Sequence, residues 1–265
     1  MPAGSRVSRA DGSPVREDVP DLPNSGRAAR DLPRARRCAR VTRVSIHDLL
    51  AALSAPDRLR DLTKALAMLD VIMSPDEDLE DRYFRFEPDG VDGLELASME
   101  NRSGDLYCIA FADDAVFGWG FAHESAMTPF ALDPVQVWPG VLDGLPAQFG
   151  HLLQHPRFML EGTFLASTAF WSQGGGPWHA GPSVPPSDDE DADGAGFVFE
   201  LVLDDRPEAY AAFAEEYYET PIDLDAIRAI YAMQPLPLVL AARLNPDADH
   251  ATLRRQAEAI TYPVE

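Results

Sequence analysis

The chain contains 265 residues, of which 46% are hydrophobic and 25% are charged, so it is long enough and apolar enough to bury a full core. Its 22 Lys and Arg residues stand against 44 Asp and Glu residues, and the formal net charge of −22 disfavours binding to nucleic acid or to an anionic membrane. No apolar run is long enough to cross a membrane, no secretory signal is visible, and the 2 cysteines lack a metal-binding spacing. We therefore expect a cytoplasmic globular protein without a cofactor.

The charge is unevenly distributed along the chain. Residues 1–43 contain ten Arg and five acidic residues, a local charge of +5, so the remaining residues carry −27. This segment is rich in Arg, Pro, Ala and Gly without a helical or strand period, which predicts a disordered basic leader before a single domain over 44–265. An alternative is that translation starts near Val41 and that residues 1–43 are upstream codons read in frame. An RNA-binding arm is disfavoured because the segment has no aromatic side chain to stack on bases.

Two helices are predicted at the start of the domain. Ser45 is a suitable N-cap for a short helix that ends near Leu53. A longer helix follows Pro56, because proline is favoured in a first turn and apolar residues then recur every three or four positions up to Met73. A short strand over 83–86 comes next.

Residues 94–121 predict three short antiparallel strands joined by two tight turns. The turns are indicated by the polar residues at 101–105 and 113–114, and the strands by alternating or continuous apolar residues between them. In the third strand, aromatic residues at 117, 119 and 121 alternate with Gly118 and Gly120. We expect the aromatic side chains to face the helices and the two glycines to line a shallow open face. This face, with Trp171 and Trp178, is the predicted binding surface.

The rest of the chain adds further strands and a helical end. We expect an irregular apolar connection over 126–139, then a helix over 141–154, a strand over 163–171, and a last strand over 197–203. In the C-terminal third, Asp204 or Asp205 is expected to cap a helix that begins near Pro207 and ends at Pro221, and Asp223 is expected to start the next helix. Further prolines separate two more short helices. The whole pattern predicts an α+β domain, with a largely antiparallel sheet, helices before it and a helical C-terminal region.

His123 and Glu124 are candidates for catalysis. They follow the aromatic strand at its end, where side chains often enter a cleft, and a histidine beside a carboxylate can perform general acid–base chemistry. Neighbouring strand residues point to opposite faces, however, which argues against a shared substrate atom. The alternative is structural, with Glu124 or Ser125 bonding the backbone where the chain leaves the sheet.

Asp189, Asp191, Asp193 and Glu200 match the spacing of an EF-hand calcium loop. The surrounding sequence is unsuited to this motif, because prolines precede it and a strand is predicted to overlap its second half. Gly196 also occupies a position that normally holds a branched apolar residue. We expect a solvated acidic loop, and a calcium-binding module remains an alternative.

Four short motifs resemble a group of uncharacterised bacterial proteins over residues 80–263. They are Met99-x-Asn101-x-Ser103-Gly104-Asp105, Gly120-Phe121-x-His123-Glu124-Ser125, Glu215-Glu216-Tyr217-Tyr218 and Leu244-Asn245-Pro246. The resemblance implies no reaction and no catalytic residues. In size, fold class and charge, the chain is also similar to immunity proteins that neutralise secreted toxins. We therefore expect a non-catalytic protein that binds a basic protein partner. An enzyme using His123 and Glu124 is the main alternative.

Overall fold

A computed structural model describes residues 45–75, 79–186, 191–236 and 238–264. The prediction for residues 1–43 therefore lies outside the described residues. The α-helices are α1 Ile46–Leu49, α2 Pro56–Met73, α3 Ala195–Val198, α4 Glu200–Leu203, α5 Pro207–Tyr218, α6 Leu224–Tyr231, α7 Leu238–Leu244 and α8 His250–Ala259. The strands are β1 Phe84–Val91, β2 Leu94–Glu100, β3 Leu106–Phe111, β4 Ala115–Phe121, β5 Met159–Leu160, β6 Thr163–Phe164 and β7 Thr168–Gln173.

The main sheet has five antiparallel strands in the order β1-β2-β3-β4-β7, and this confirms the predicted α+β class and the meander. The β1–β2 hairpin turns at Asp92 and Gly93, which both have positive φ, as a two-residue hairpin loop requires. Strand β1 is longer than expected and carries a register shift between Glu87 and Val91. Pro88 lies in this bulge, since proline has no N–H to donate to a strand ladder.

The two faces of the sheet are covered by different parts of the chain. Helices cover one face, where α2 lies across β1 and buries its predicted leucine stripe against residues such as Phe86, Ile109 and Phe170. The other face is covered by the segment 127–166, which includes the small sheet of β5 and β6. Phe117 and Trp119 lie in this second core, stacked with ring centroids 4.8 Å apart. The expectation that they face the helices is therefore wrong.

Residues 141–154 do not form the predicted α-helix. Gly140 and Gly144 both have a φ of 90°, and Pro146 follows, so the backbone cannot sustain an α-helical turn here. The segment instead contains two short 3₁₀ turns, Ala147–Phe149 and Leu152–Gln154. Their apolar side chains still pack on the sheet, which explains why the spacing resembled a helix. The strand predicted over 163–171 is also divided, between β6 and β7.

Residues 197–203 are helical and do not form the predicted last strand. Their apolar composition suits either structure, but two aspartates before them accept the first free N–H groups of α3. Asp193 Oδ1 accepts a hydrogen bond from Ala195 N at 3.0 Å, and Asp191 accepts from Gly196 N and Phe197 N, each at 3.0 Å. These capping hydrogen bonds favour a helix over a strand in this segment.

The C-terminal helices confirm the predicted helical end. Asp223 caps α6 as expected, since its Oδ1 accepts from Asp225 N and Ala226 N. Helix α5 begins after Arg206, which makes no side-chain cap, so the expected aspartate cap at residue 204 or 205 is wrong.

A buried ion pair joins α2 to the C-terminal helices. Arg82 Nη1 lies 3.8 Å from Asp70 Oδ2, and both side chains are almost fully buried. The Tyr218 hydroxyl of α5 donates to Asp70 Oδ1 at 3.2 Å, and Arg82 Nη2 donates to Gln256 Oε1 of α8 at 3.2 Å. These polar contacts offset part of the cost of burying the two charges.

Candidate functional site

His123 lies just after β4 and is held against the start of β3. In the β3–β4 ladder Leu106 pairs with Phe121, so Asp105, one residue before the ladder, is brought to His123, two residues beyond it. Asp105 Oδ1 accepts a hydrogen bond from the His123 backbone N–H at 2.9 Å and lies 2.7 Å from its Nδ1. The Asp105 side chain is 7% exposed, whereas the His123 ring is 40% exposed. A buried carboxylate therefore orients a partly exposed imidazole.

Asn101 in turn positions Asp105. The Asn101 Nδ2 donates to Asp105 Oδ2 at 2.8 Å, and its Oδ1 accepts from the backbone N–H groups of Ser103 and Asp105 at 2.8 and 3.1 Å. An asparagine side chain that bonds the backbone two residues later is a common way to close a turn. The β2–β3 turn thus places both oxygens of the Asp105 carboxylate.

The Asp105 contact determines the chemistry of the His123 ring. A carboxylate next to Nδ1 assigns the proton to that atom in the neutral ring, which leaves Nε2 as a hydrogen-bond acceptor. Glu124 Oε1 lies 4.0 Å from this Nε2, and Glu124 is 67% exposed. The two candidate residues thus come close together, contrary to the strand alternation argument, because both lie beyond the end of β4. We name Asn101, Asp105, His123 and Glu124 the histidine corner.

Two hydrogen bonds hold the chain where it leaves the sheet, and the structural role expected for Glu124 or Ser125 stays a prediction. Asp105 fixes the exit through the His123 N–H, and Ser125 closes the turn with its backbone N–H, which donates to Ala122 O at 3.0 Å. The importance of Asp105 was missed in the sequence, where it was assigned only to a turn. Its position four residues after Asn101, opposite the end of the next strand, is the signal that could have revealed it.

The surroundings of the histidine corner are acidic. Burial raises the pKa of Tyr83, and the nearby charges of Tyr217, Glu200 and Asp105 raise it further. The pKa of Glu200 is also raised, first by burial and then by repulsion from Glu216 and Asp204. Helices α4 and α5 therefore place several carboxylates close to one another on this side of the domain.

Gly118 and Gly120 are buried, so the expected open glycine face is wrong. A Cβ atom at Gly118 would lie 2.3 Å from Cζ of Phe170, and one at Gly120 would lie 2.5 Å from Cγ2 of Val198. The glycines allow β7 and α3 to approach the sheet closely, which is a structural reason for glycine in a strand. A partner has no direct access to either residue.

The two tryptophans of the predicted binding surface make internal contacts. Trp171 is buried in the core under the segment 127–166, and its backbone exchanges two hydrogen bonds with His179, at 2.9 and 2.8 Å. Trp178 is half-buried, donates its indole N–H to Ser54 O at 3.0 Å, and packs edge-on against Phe170. Both indoles stabilise the fold, and their binding role stays a prediction.

The calcium prediction gains no support from the described residues. Asp189 lies outside them, Asp191 and Asp193 accept backbone N–H groups, and Glu200 lies on α4. Asp193 Oδ2 also accepts from Ile46 N at 2.8 Å, so this carboxylate connects α1 to α3. In the parts of the chain that the structure describes, no group of three or more His, Cys, Asp or Glu side chains could hold a metal ion.

Comparison with models of protein families, with curated proteins and with solved structures gave no match. The resemblance to a group of uncharacterised bacterial proteins and the similarity to immunity proteins therefore stay predictions. Among the described helices, none is both long and apolar enough to pass through a lipid bilayer.

Proposed function

We propose that this chain is a non-catalytic acidic binding protein of the cytoplasm whose partner is a basic protein, and that its specific role is to neutralise a basic toxin. The observation that carries the proposal is the internal pairing of its cations. Twelve of the 22 Lys and Arg residues follow residue 43, and at least ten of these twelve form an ion pair with a carboxylate among the residues that the structure describes. Residues 44–265 contain 39 acidic residues, so most carboxylates have no internal cation available.

The clearest group of surplus carboxylates lies on α4 and α5. Glu200, Glu215, Glu216 and Glu219 are exposed, and we name them the acidic helical face. The pKa of Glu200 is raised first by partial burial of its carboxyl group and then by repulsion from Glu216 and Asp204, so repulsion within the acidic helical face contributes to the change. A basic protein that docks here would relieve this repulsion, and the overall negative field would accelerate its approach.

The test is salt-dependent capture followed by titration of a purified partner. The full-length chain is immobilised, incubated with a bacterial extract and washed at 0.1 or 1 M NaCl, because the screening length falls from about 10 Å to about 3 Å between these concentrations. A basic protein should be retained at low salt and released at high salt. Retention that does not change with salt, or capture of acidic proteins only, would contradict the proposal.

Charge reversal locates the surface. With the purified partner, a Glu215→Lys/Glu216→Lys variant should bind much more weakly than the wild-type chain, because it places two cations on the acidic helical face. The matched control is Asp133→Lys/Asp143→Lys, which changes the charge equally at two exposed positions in the segment 127–166. If both variants lose affinity equally, the effect comes from net charge and not from the acidic helical face.

A second candidate function is an enzyme that uses His123 as a general base. The specific observation is the 2.7 Å contact between Asp105 and Nδ1 of the partly exposed His123 ring, which leaves Nε2 to accept a proton. A carboxylate that orients a histidine in this way is found in many sites of proton transfer. Asp105 would be a positioning residue and Glu124 a second acid or base.

The two functions are separated by comparing partner binding with hydrolysis of a panel of ester and phosphoester substrates. An enzyme predicts turnover that His123→Ala abolishes and that Asp105→Asn lowers while partner affinity is unchanged. Turnover that is equal in wild-type protein and His123→Ala would eliminate the catalytic candidate.

A further inference from the structure

A small cavity lies between the sheet and the segment that follows β4, outside both surfaces described above. Its floor is a row of residues that are neighbours across four strands: Arg85 pairs with Ser98, Ser98 with Cys108, and Cys108 with Trp119. Two small side chains between two large ones leave a depression on this face of the sheet. Phe158 and Leu165 line it from the opposite side, and the cavity, which is partly open to solvent, has a volume of about 120 Å³.

The deep part of the cavity is apolar. Trp119 is almost fully buried and meets the ring of Phe158 edge-on at 4.9 Å. Burial raises the pKa of Cys108 to about 12, so its sulfur is a neutral thiol and contributes apolar surface. Engineered apolar cavities of roughly 150 Å³ take up benzene, so this volume suits a short alkyl chain or one small ring.

Two ion pairs lie at the cavity, Arg157 with Glu87 and Arg85 with Glu100, and Glu100 belongs to the lining together with both arginines. Arg157 and Arg85 both lie at the entrance, and each lowers the pKa of the Cys108 thiol more than Glu87 or Glu100 raises it. Arg157 forms a two-point ion pair with Glu87, which engages two of the five N–H donors of a guanidinium. Arg85 donates to the buried Ser98 hydroxyl at 3.2 Å and to Glu100 at 3.2 Å, so its side chain is held beside the floor.

We propose that this cavity binds a small monocarboxylate with an apolar body of about five to seven carbons. The alkyl chain or ring lies over Cys108 and Trp119, and the carboxylate accepts N–H groups of Arg157 at the entrance. Arginine suits this role because its planar group can bond a carboxylate at two points. The thiol remains unmodified and no bond is formed or broken, so the site is one of reversible binding.

The test is calorimetric titration of the full-length chain with hexanoate and with benzoate. Both should bind saturably with a Kd in the millimolar range or below, whereas hexan-1-ol and hexylamine, which lack the carboxylate, should bind at least about tenfold more weakly. Arg157→Gln should lower the affinity for hexanoate at least about tenfold. The matched control, Arg206→Gln, removes an equal charge from an exposed ion pair with Asp204 and should bind hexanoate as the wild-type chain does.

A second measurement reports on the cavity itself and does not depend on the arginine variants. Cys108→Leu, which adds carbon atoms to the floor of the cavity, should weaken hexanoate binding at least about tenfold, whereas Cys108→Ser keeps the size of the side chain and should bind hexanoate within about threefold of the wild-type chain. Equal binding of hexan-1-ol and hexanoate would overturn the role of Arg157. Absence of saturable binding by both carboxylates, or an unchanged hexanoate affinity in Cys108→Leu, would overturn the cavity as the site.

Discussion

Asp193 should make the stability of the protein depend on pH between about pH 4 and pH 6. Its carboxylate is 2% exposed, and burial raises its pKa from 3.8 to about 6, although hydrogen bonds from Ile46 N and Ala195 N oppose the change. The folded protein therefore binds this proton more tightly than the unfolded chain does. The resulting stabilisation is complete below about pH 3.8 and is lost as the pH rises through 6.

The magnitude follows from the two pKa values. The difference between about 6 and 3.8, at about 1.36 kcal/mol for each pKa unit, corresponds to about 3 kcal/mol of unfolding free energy. An Asp193→Asn variant has no proton to bind at this position. Relative to that variant, the wild-type protein should gain about 2 kcal/mol of unfolding free energy when the pH is lowered from 8 to 4. Asparagine has one acceptor oxygen where aspartate has two, which adds a constant loss that does not affect this difference.

The assay is urea denaturation of both proteins at intervals of half a pH unit, followed by tryptophan fluorescence. Asp143→Asn, which changes an exposed carboxylate, is the control, and its curve should stay nearly parallel to that of the wild-type protein from pH 8 to pH 5. If the unfolding free energies of the wild-type protein and of Asp193→Asn change with pH in parallel down to pH 4, burial does not raise the pKa of Asp193 and the prediction is wrong.

Three further changes test packing and polar contacts, with urea denaturation as the measurement in each case. Gly118→Ala should lower the free energy of unfolding by about 1–3 kcal/mol because its Cβ would overlap the Phe170 ring. A Gly118→Ala/Phe170→Leu double variant should lose less unfolding free energy than the two single variants lose in sum. Arg82→Met should cost about 3–5 kcal/mol because it removes the cation from beside buried Asp70, and an equal loss in an Asp70→Asn background would contradict this reason. Asp223→Ala should cost about 1–2 kcal/mol through the lost cap of α6, whereas Asp223→Asn should retain most of the cap.

The sequence was sufficient to predict those elements that are specified by residues within them or at their ends. Pro56 and a regular leucine stripe predicted α2, and Asp223 predicted the start of α6. The meander was predicted because turn residues separate its strands at short intervals. In these cases the periodicity of the side chains and the chemistry of the ends both indicate one structure.

Errors arose where residues outside a segment decide its structure, whether they flank it or lie far from it in the sequence. The apolar run 197–203 suits a strand, but Asp191 and Asp193 cap it as a helix. The orientation of Trp119 depends on which face the segment 127–166 covers, and the alternation of side chains alone cannot distinguish the two faces. The Asp105–His123 contact spans 18 residues and depends on strand register, so single residues in the sequence did not reveal it.

The two borders of the main sheet differ in how they resist another chain. At β7, Trp171 exchanges both backbone hydrogen bonds with His179, so the ladder is already occupied at that point. At β1, the register shift and Pro88 interrupt the regular row of donors and acceptors that an incoming strand would need. Strand addition by another chain is therefore disfavoured at both borders, by occupied hydrogen-bonding groups at β7 and by an irregular backbone at β1.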